Sequence, residues 1–169
     1  MHSLNSLRSI DMGLKKFVPF LSTTLVVLLI DQLSKRWVLN NLTVRDSICL
    51  IDGYLCIILR FNQYNVFGLK LLPPKIMPFF IVFASLLLIY FALKEKKWIY
   101  QMLYGFILGG ALGNLFDRLT LGKVIDFIDI GVTPRLRWPT FNLADAAIDI
   151  GIFGLIVLAL IESRHKGDV

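Results

Sequence analysis

Four long apolar runs constrain the fold of this chain more than any other feature of its sequence. They occupy about residues 17–38, 76–93, 98–116 and 141–161. A helix of about 20 apolar residues is long enough to cross the hydrocarbon core of a bilayer, which is about 30 Å thick. In that core every backbone polar group needs a partner within the protein, and a helix supplies it. The sequence therefore predicts an all-α membrane protein, with four transmembrane helices in a single membrane-embedded domain over residues 1–169.

Basic residues at the ends of these runs predict how the helices are oriented. Such residues precede the first run, separate the second from the third and follow the fourth: Arg8, Lys15, Lys16, Lys94, Lys96, Lys97, Arg164 and Lys166. Because cytoplasmic loops are enriched in lysine and arginine, we expect both termini in the cytoplasm and the loops 39–75 and 119–140 on the outer side. The outer loops also contain cations, so the bias is modest. The net charge of +6 would suggest nucleic acid binding in a soluble protein, but in this apolar chain the distribution of the basic residues matters more, and we expect no nucleic acid partner.

The first outer loop contains a candidate β-hairpin. Its segment SICLIDGYLCIILRF is rich in β-branched and aromatic residues, with Asp52-Gly53 as a turn signal. We therefore expect a small outward-facing β-sheet or hairpin. Cys49 and Cys56 are the two cysteines of the chain. A disulfide between them is possible in an oxidising compartment, but the preferred interpretation is two free thiols, and no histidine accompanies them to complete a metal site.

Five of the twelve acidic residues lie in one stretch of this apolar chain. They are Asp117, Asp126, Asp129, Asp145 and Asp149. A carboxylate against a transmembrane helix costs roughly a few kcal/mol on insertion scales, so such a residue suggests chemistry by default. Asn142 is a credible N-cap of the fourth helix, which places Asp145 in its first turn at the outer surface. Asp117 is either catalytic or a structural clamp with Arg118.

A pair of close carboxylates is suited to amide hydrolysis. Two such groups cannot both ionise, so they share a proton and titrate as a dyad. One then acts as a base toward water and the other as an acid toward a carbonyl oxygen. The two histidines, His2 and His165, lie at opposite ends of the chain, which argues against a Ser-His-Asp triad and a histidine zinc site. We expect neither a metal nor a cofactor.

Five sequence blocks carry a resemblance to a known family. They are DQLSK at 31–35, Asn62 with Phe67-Gly68, GGALGNLFDR at 109–118, VIDFID at 124–129 and FNLAD at 141–145. In this order and spacing, over about residues 15–163, the chain resembles the lipoprotein signal peptidases (signal peptidase II), which are aspartyl peptidases of bacterial inner membranes. The resemblance also implies four spans, with the active site at the periplasmic face.

The resemblance implies a catalytic dyad of Asp126 and Asp145. It also implies a set of residues that shape the site or bind the substrate: Asp31, Lys35, Asn62, Asn114, Asp117, Arg118 and Asn142. The implied substrate is a prolipoprotein whose cysteine carries diacylglycerol, with the cut just before that cysteine. Globomycin, a cyclic peptide, is the implied inhibitor, membrane lipid is the surrounding partner, and we expect a monomer.

Some residues leave alternatives open. Tyr64, Asn65 and Val66 replace small residues of the family pattern, which allows a reshaped substrate loop or a catalytically altered lipoprotein-binding paralogue. Asp31 and Lys35 share a helical face and can pair, either as a local ion pair near the interface or in support of the active site. A proton-coupled carrier is a further alternative, although it requires acids near the bilayer midplane. The sequence suggests no role for Asp129 or Asp149.

Overall fold

The computed structural model describes residues 17–63, 73, 75–133 and 136–167. Its four helices are α1 (Val18–Asn41), α2 (Met77–Lys94), α3 (Trp98–Leu121) and α4 (Leu143–Gly167). Each is long and apolar enough to cross a membrane, which confirms the predicted fold class. The segment Tyr64–Val66, with Phe67 and Gly68 of the family pattern, lies outside the described residues.

Helices α3 and α4 extend beyond their predicted ends. The prediction followed apolar composition and therefore stopped α3 at residue 116, whereas the helix continues to Leu121. The helix can include the charged residue Asp117, because its carboxylate is buried within the protein and pairs with Lys35 of α1. Gly122 then ends α3 with a φ of 68°, a left-handed conformation that glycine adopts without steric cost.

Helix α3 is the centre of the bundle and contacts the other three helices. Its glycines allow this close packing, as the interval of four residues predicts. A Cβ atom added at Gly105 would lie 2.7 Å from the carbonyl oxygen of Phe20 on α1. A Cβ atom added at Gly110 would clash with the carbonyl oxygen of Ala144 on α4. The Gly105 contact holds α1 against α3, and the Gly110 contact holds the N-terminal end of α4 against α3.

The loops between α1 and α2 and between α3 and α4 form one three-stranded antiparallel sheet in the order β1-β2-β3. Its strands are β1 (Ser47–Ile51), β2 (Leu55–Asn62) and β3 (Val124–Ile130). The β1–β2 hairpin was predicted, and Gly53 in its turn has a φ of 79°. Strand β3 was not predicted as a strand. Its side chains Ile125 and Phe127 pack with Val38 of α1 in a buried cluster, which fixes the sheet against the C-terminal end of that helix.

Cys49 and Cys56 form a disulfide, so the expectation of free thiols is wrong. The physical reason is strand register. The two residues are direct partners across the β1–β2 pair, with Cα atoms 4.0 Å apart. A spacing of seven residues cannot reveal such pairing without the position of the turn and of the irregularity that follows Cys49.

Asp129, for which the sequence suggests no role, stabilises the sheet. Its carboxylate forms an ion pair with Arg137 at 2.7 Å. Arg137 also donates a hydrogen bond to the carbonyl oxygen of Gly53 at 3.1 Å. The Asp129–Arg137 pair therefore connects three parts of the chain: strand β3, the segment between β3 and α4, and the β1–β2 turn.

We predict that Gly110→Ala destabilises the protein by about 1–3 kcal/mol, because overpacking at a close helix contact forces the backbones apart. Gly154→Ala is the matched control, since the added Cβ there meets the flexible end of Leu103 rather than a backbone atom. Thermal unfolding in detergent measures both variants. Equal melting temperatures for the two variants would show that the α3–α4 contact does not depend on glycine.

Candidate active site

Asn142 connects the two aspartates that were expected to form the dyad. Asp126 lies on β3, and Asp145 lies in the first turn of α4. The Asn142 side-chain amide donates to Asp126 Oδ1 at 2.8 Å, and its oxygen accepts the Asp145 main-chain N–H at 2.9 Å. The Asn142 main-chain N–H donates in return to Asp145 Oδ2 at 3.2 Å. This reciprocal pattern confirms Asn142 as the N-cap, and it positions the strand and the helix through one side chain.

Asp126 is buried, with 3% of its surface exposed. Its Oδ2 accepts a hydrogen bond from the side-chain amide of Asn62 on β2 at 2.9 Å. Burial raises the pKa of the Asp126 carboxyl, and the charge of Asp145 raises it further, to about 6. The donors Asn62 and Asn142 act in the opposite direction because they stabilise the charged form. The carboxyl therefore gains and loses its proton close to neutral pH.

All four carboxylate oxygens of the pair accept a hydrogen bond from the protein. Three of these bonds come from Asn62 and Asn142. The fourth comes from the Asn114 side chain on α3, which donates to Asp145 Oδ1 at 2.7 Å. A carboxylate oxygen has a further lone pair, so each can still bind a water molecule or a shared proton.

Lys35 on α1 orients Asn114. Its Nζ is 3.0 Å from Asn114 Oδ1, and the side chain is 1% exposed. An ammonium group can only donate hydrogen bonds, so the Asn114 oxygen faces Lys35 and the Asn114 NH₂ faces Asp145. Lys35 also forms ion pairs with Asp31 at 2.8 Å and with Asp117 at 2.9 Å. The predicted Asp31–Lys35 pair therefore exists, and it lies inside the bundle rather than at the headgroups.

Asp31 and Asp117 bind two further elements of the site. Asp31 Oδ1 accepts the main-chain N–H of Ala144 at the start of α4, at 2.9 Å. Asp117 Oδ2 accepts the main-chain N–H of Ile125 on β3, at 3.2 Å. Asp31 thus stabilises the backbone next to Asp145, and Asp117 the backbone next to Asp126.

The suggested clamp between Asp117 and Arg118 is wrong. Asp117 pairs with Lys35, because neighbouring residues of a helix point in different directions. Arg118 instead donates from Nη1 to the Asn114 carbonyl oxygen at 3.1 Å. Its positive charge lies near Asp145 and Asp126 and counterbalances the negative charge of these carboxylates.

Gln32 was not among the predicted site residues. Its side-chain amide donates to Asp117 Oδ1 at 3.0 Å and to the Gly113 carbonyl oxygen at 3.2 Å. Gln32 belongs to the block DQLSK. Its position between the charged residues Asp31 and Lys35 in an otherwise apolar run is the sequence signal that could have identified it. Asp149 lies one turn beyond Asp145 on an exposed position of α4, apart from the network described above.

A cavity of about 310 Å³ lies beside Asp145, between α2, α3 and α4. Its walls are mostly apolar and include Phe80, Ile81 and Leu88 of α2, Ile107 of α3, and Ile148 and Ile152 of α4. Asn114, Arg118 and Asp145 form its polar end. No residue of α2 was predicted to contribute to the site, because an evenly apolar helix does not show which face borders a cavity.

Comparison with known proteins identifies the family. Residues 23–161 match the family model described as signal peptidase (SPase) II. A lipoprotein signal peptidase of Syntrophomonas wolfei is 40% identical over 153 residues, which cover 87% of this chain and 96% of that protein. A lipoprotein signal peptidase of Syntrophus aciditrophicus is 34% identical over 159 residues, covering 90% of this chain and 98% of that protein.

Solved structures agree with the sequence relatives. One bacterial membrane enzyme superposes with a TM-score of 0.78 at 26% identity, and the match covers 86% of this chain and 90% of that one. A second has a TM-score of 0.73 at 26% identity, covering 83% and 91%. The chain therefore belongs to the signal peptidase II family.

Proposed function

We propose that this lipoprotein signal peptidase is an aspartic endopeptidase that cuts diacylglyceryl-modified prolipoproteins just before the lipidated cysteine. The observation that carries the proposal is the pair Asp126 and Asp145, connected by Asn142 at the end of an apolar cavity. The pair supplies an acid and a base, and the cavity offers an apolar surface to the lipid or to the signal peptide.

The two carboxylates have different surroundings, which suggests different roles. Asp145 accepts hydrogen bonds at the N-terminus of α4, where the helix dipole favours a negative charge, and Arg118 is near. Asp126 lies on a strand and has a pKa of about 6. We therefore assign the base to Asp145 and the acid to Asp126.

Each step of the proposed reaction balances its protons. Asp145 takes a proton from water as the water oxygen attacks the carbonyl carbon before the cysteine, and Asp126 gives its proton to the carbonyl oxygen. The tetrahedral intermediate then collapses and the C–N bond breaks. Asp145 gives its proton to the leaving amine while Asp126 recovers one from the hydroxyl group. The dyad returns to its starting state.

The apolar cavity supports a positioning role for the substrate's lipid and signal peptide. Apolar groups of the substrate can move from the lipid into the cavity at little cost, because its walls are also mostly apolar. In this position the peptide bond is held beside Asp145. Holding the reacting groups in place supplies a large part of the rate enhancement of many enzymes. Inhibition by globomycin-type cyclic peptides and a monomeric state belong to the same proposal.

The disulfide supports an outward-facing sheet. Cytosolic thiols are kept reduced, whereas disulfides persist outside the cytoplasm. The Cys49–Cys56 bond therefore agrees with the distribution of basic residues, which favours a sheet outside and both termini in the cytoplasm. We propose a multi-pass protein of the bacterial inner (cytoplasmic) membrane with its active site at the outer face.

We predict that Asp126→Asn and Asp145→Asn each lower kcat at least about 100-fold, the usual scale of general acid–base catalysis. Asp149→Asn is the matched control, because it makes the same change one turn further along α4 at an exposed position. Mass spectrometry of a synthetic diacylglyceryl prolipoprotein peptide after incubation with purified protein measures the rates. Wild-type turnover in either dyad variant refutes the assignment.

We predict that the stability of the wild-type protein, relative to Asp126→Asn, falls as pH rises from about 4 to about 6. The folded pKa of Asp126, about 6, lies above the ordinary value of 3.8. The folded state therefore holds its proton more tightly, so protonation stabilises it at low pH and this contribution is lost as pH rises through the folded pKa. Melting temperatures of both proteins across this range test the effect. Parallel curves for the two proteins contradict it.

We predict that a membrane-impermeant maleimide labels Cys49 in intact cells after reduction. Cys49 is exposed on the edge strand β1, and the chain contains two cysteines in all, so labelling reports on this hairpin alone. A Cys49→Ser/Cys56→Ser double variant is the unlabelled control. Labelling that requires permeabilised cells would place the sheet in the cytoplasm.

A further inference from the structure

Ser85 is a polar residue of the cavity that lies outside the dyad network. It is on α2, and it faces the cavity together with Phe80 and Ile81 of the same helix. Its side chain is 8% exposed. Among the residues that the structure describes, its hydroxyl has no hydrogen-bond partner. Buried polar groups are nearly always paired, so an unpaired one calls for an explanation.

Five other serine and threonine hydroxyls in the described helices are paired. Each of the following donates to a carbonyl oxygen three or four residues earlier in its own helix: Ser22, Thr24, Ser34, Thr120 and Ser163. This is the usual way in which a helix satisfies a serine or threonine. Ser85 departs from it, and its hydroxyl is therefore available to a ligand.

A second buried donor borders the same cavity. Within the described part of the chain, the Nε of Arg118 also has no hydrogen-bond partner, although its Nη1 donates to Asn114. Arg118 is on α3, and Ser85 is on α2. Two unpaired donors on different walls of an apolar cavity indicate a ligand that brings hydrogen-bond acceptors into it.

We propose that Ser85 is a specificity-determining residue whose hydroxyl donates a hydrogen bond to a carbonyl oxygen of the bound substrate. The inference rests on the peptidase function proposed above. A rotation of the side chain about χ1, between staggered positions, turns the hydroxyl from its buried position toward the cavity. The bond then satisfies a group that is unpaired without substrate.

The substrate contains two kinds of carbonyl that fit this chemistry. One is the ester carbonyl of the diacylglyceryl group. The other is a peptide carbonyl near the cut, where the chain must be extended for hydrolysis and its backbone is no longer paired within a helix. A substrate with ether-linked alkyl chains keeps the peptide carbonyl and lacks the ester, so it separates the two sources.

The test compares Ser85→Ala and Ser85→Thr with the wild-type protein in lipid nanodiscs, on matched diacylglyceryl (ester) and dialkylglyceryl (ether) prolipoprotein peptides. We expect Ser85→Ala to raise KM about threefold to tenfold with kcat unchanged, which is the effect of one neutral hydrogen bond used in binding. We expect Ser85→Thr to restore KM, because it keeps the hydroxyl. Ser22→Ala on α1, away from the cavity, is the control.

The outcomes separate the possibilities. A KM increase with the ester substrate alone assigns the bond to the lipid, and an increase with both substrates assigns it to the peptide. Wild-type kinetics of Ser85→Ala on both substrates overturn the proposal, as does equal impairment of the alanine and threonine variants. If the wild-type protein cleaves neither peptide, the proposed function itself fails.

Discussion

The buried ammonium group of Lys35 is the interaction on which the rest of this structure depends. It lies within 3.0 Å of oxygens of Asp31, Asp117 and Asn114, and thereby joins α1 to α3. Removing one partner of such a buried ion pair typically costs about 3–5 kcal/mol, because the other charge stays buried without compensation. The two carboxylates that bind Lys35 also bind the start of α4 and β3. One charge therefore sets the relative positions of three helices and a strand.

Neutral amides transmit that positioning to Asp126 and Asp145. Asn114 accepts from Lys35 and donates to Asp145, while Asn142 contacts both aspartates. Amides suit this task because each carries a donor and an acceptor in one rigid plane, so an amide fixed at one end is fixed at the other. They also add no charge of their own beside Asp126 and Asp145.

The sequence was informative where a property is local. The four helices follow from the length of the apolar runs, the cap at Asn142 from its residue type, and the β1–β2 hairpin from its turn. Partner choice is a tertiary property, and there the sequence was less informative. Asp117 pairs with Lys35 on another helix rather than with its neighbour Arg118. The role of Asp129 depends on Arg137, which a turn brings back beside it.

The prediction of the candidate site shows the same contrast between local and tertiary properties. The family motifs indicated nine residues. In the structure Asn62, Asn114 and Asn142 bind Asp126 or Asp145 directly, and Lys35, Asp31, Asp117 and Arg118 lie around these three. Gln32 and Ser85 were not predicted as site residues. Neither has a residue type that signals chemistry, and only the packing of α1 and α2 against α3 shows what each side chain faces. Strand β3 was also missed, because its pairing with β2 depends on residues more than 60 positions apart.

The disulfide of the hairpin has a consequence for the order in which the enzyme matures. Cytoplasmic thiols are kept reduced, so in the proposed topology the Cys49–Cys56 bond forms only after the first outer loop has been exported. Strand β1 is an edge strand that pairs with β2 alone, and the bond secures it there. A newly made chain therefore completes its sheet outside the cell's reducing interior, and the crosslink distinguishes exported molecules from those still awaiting insertion.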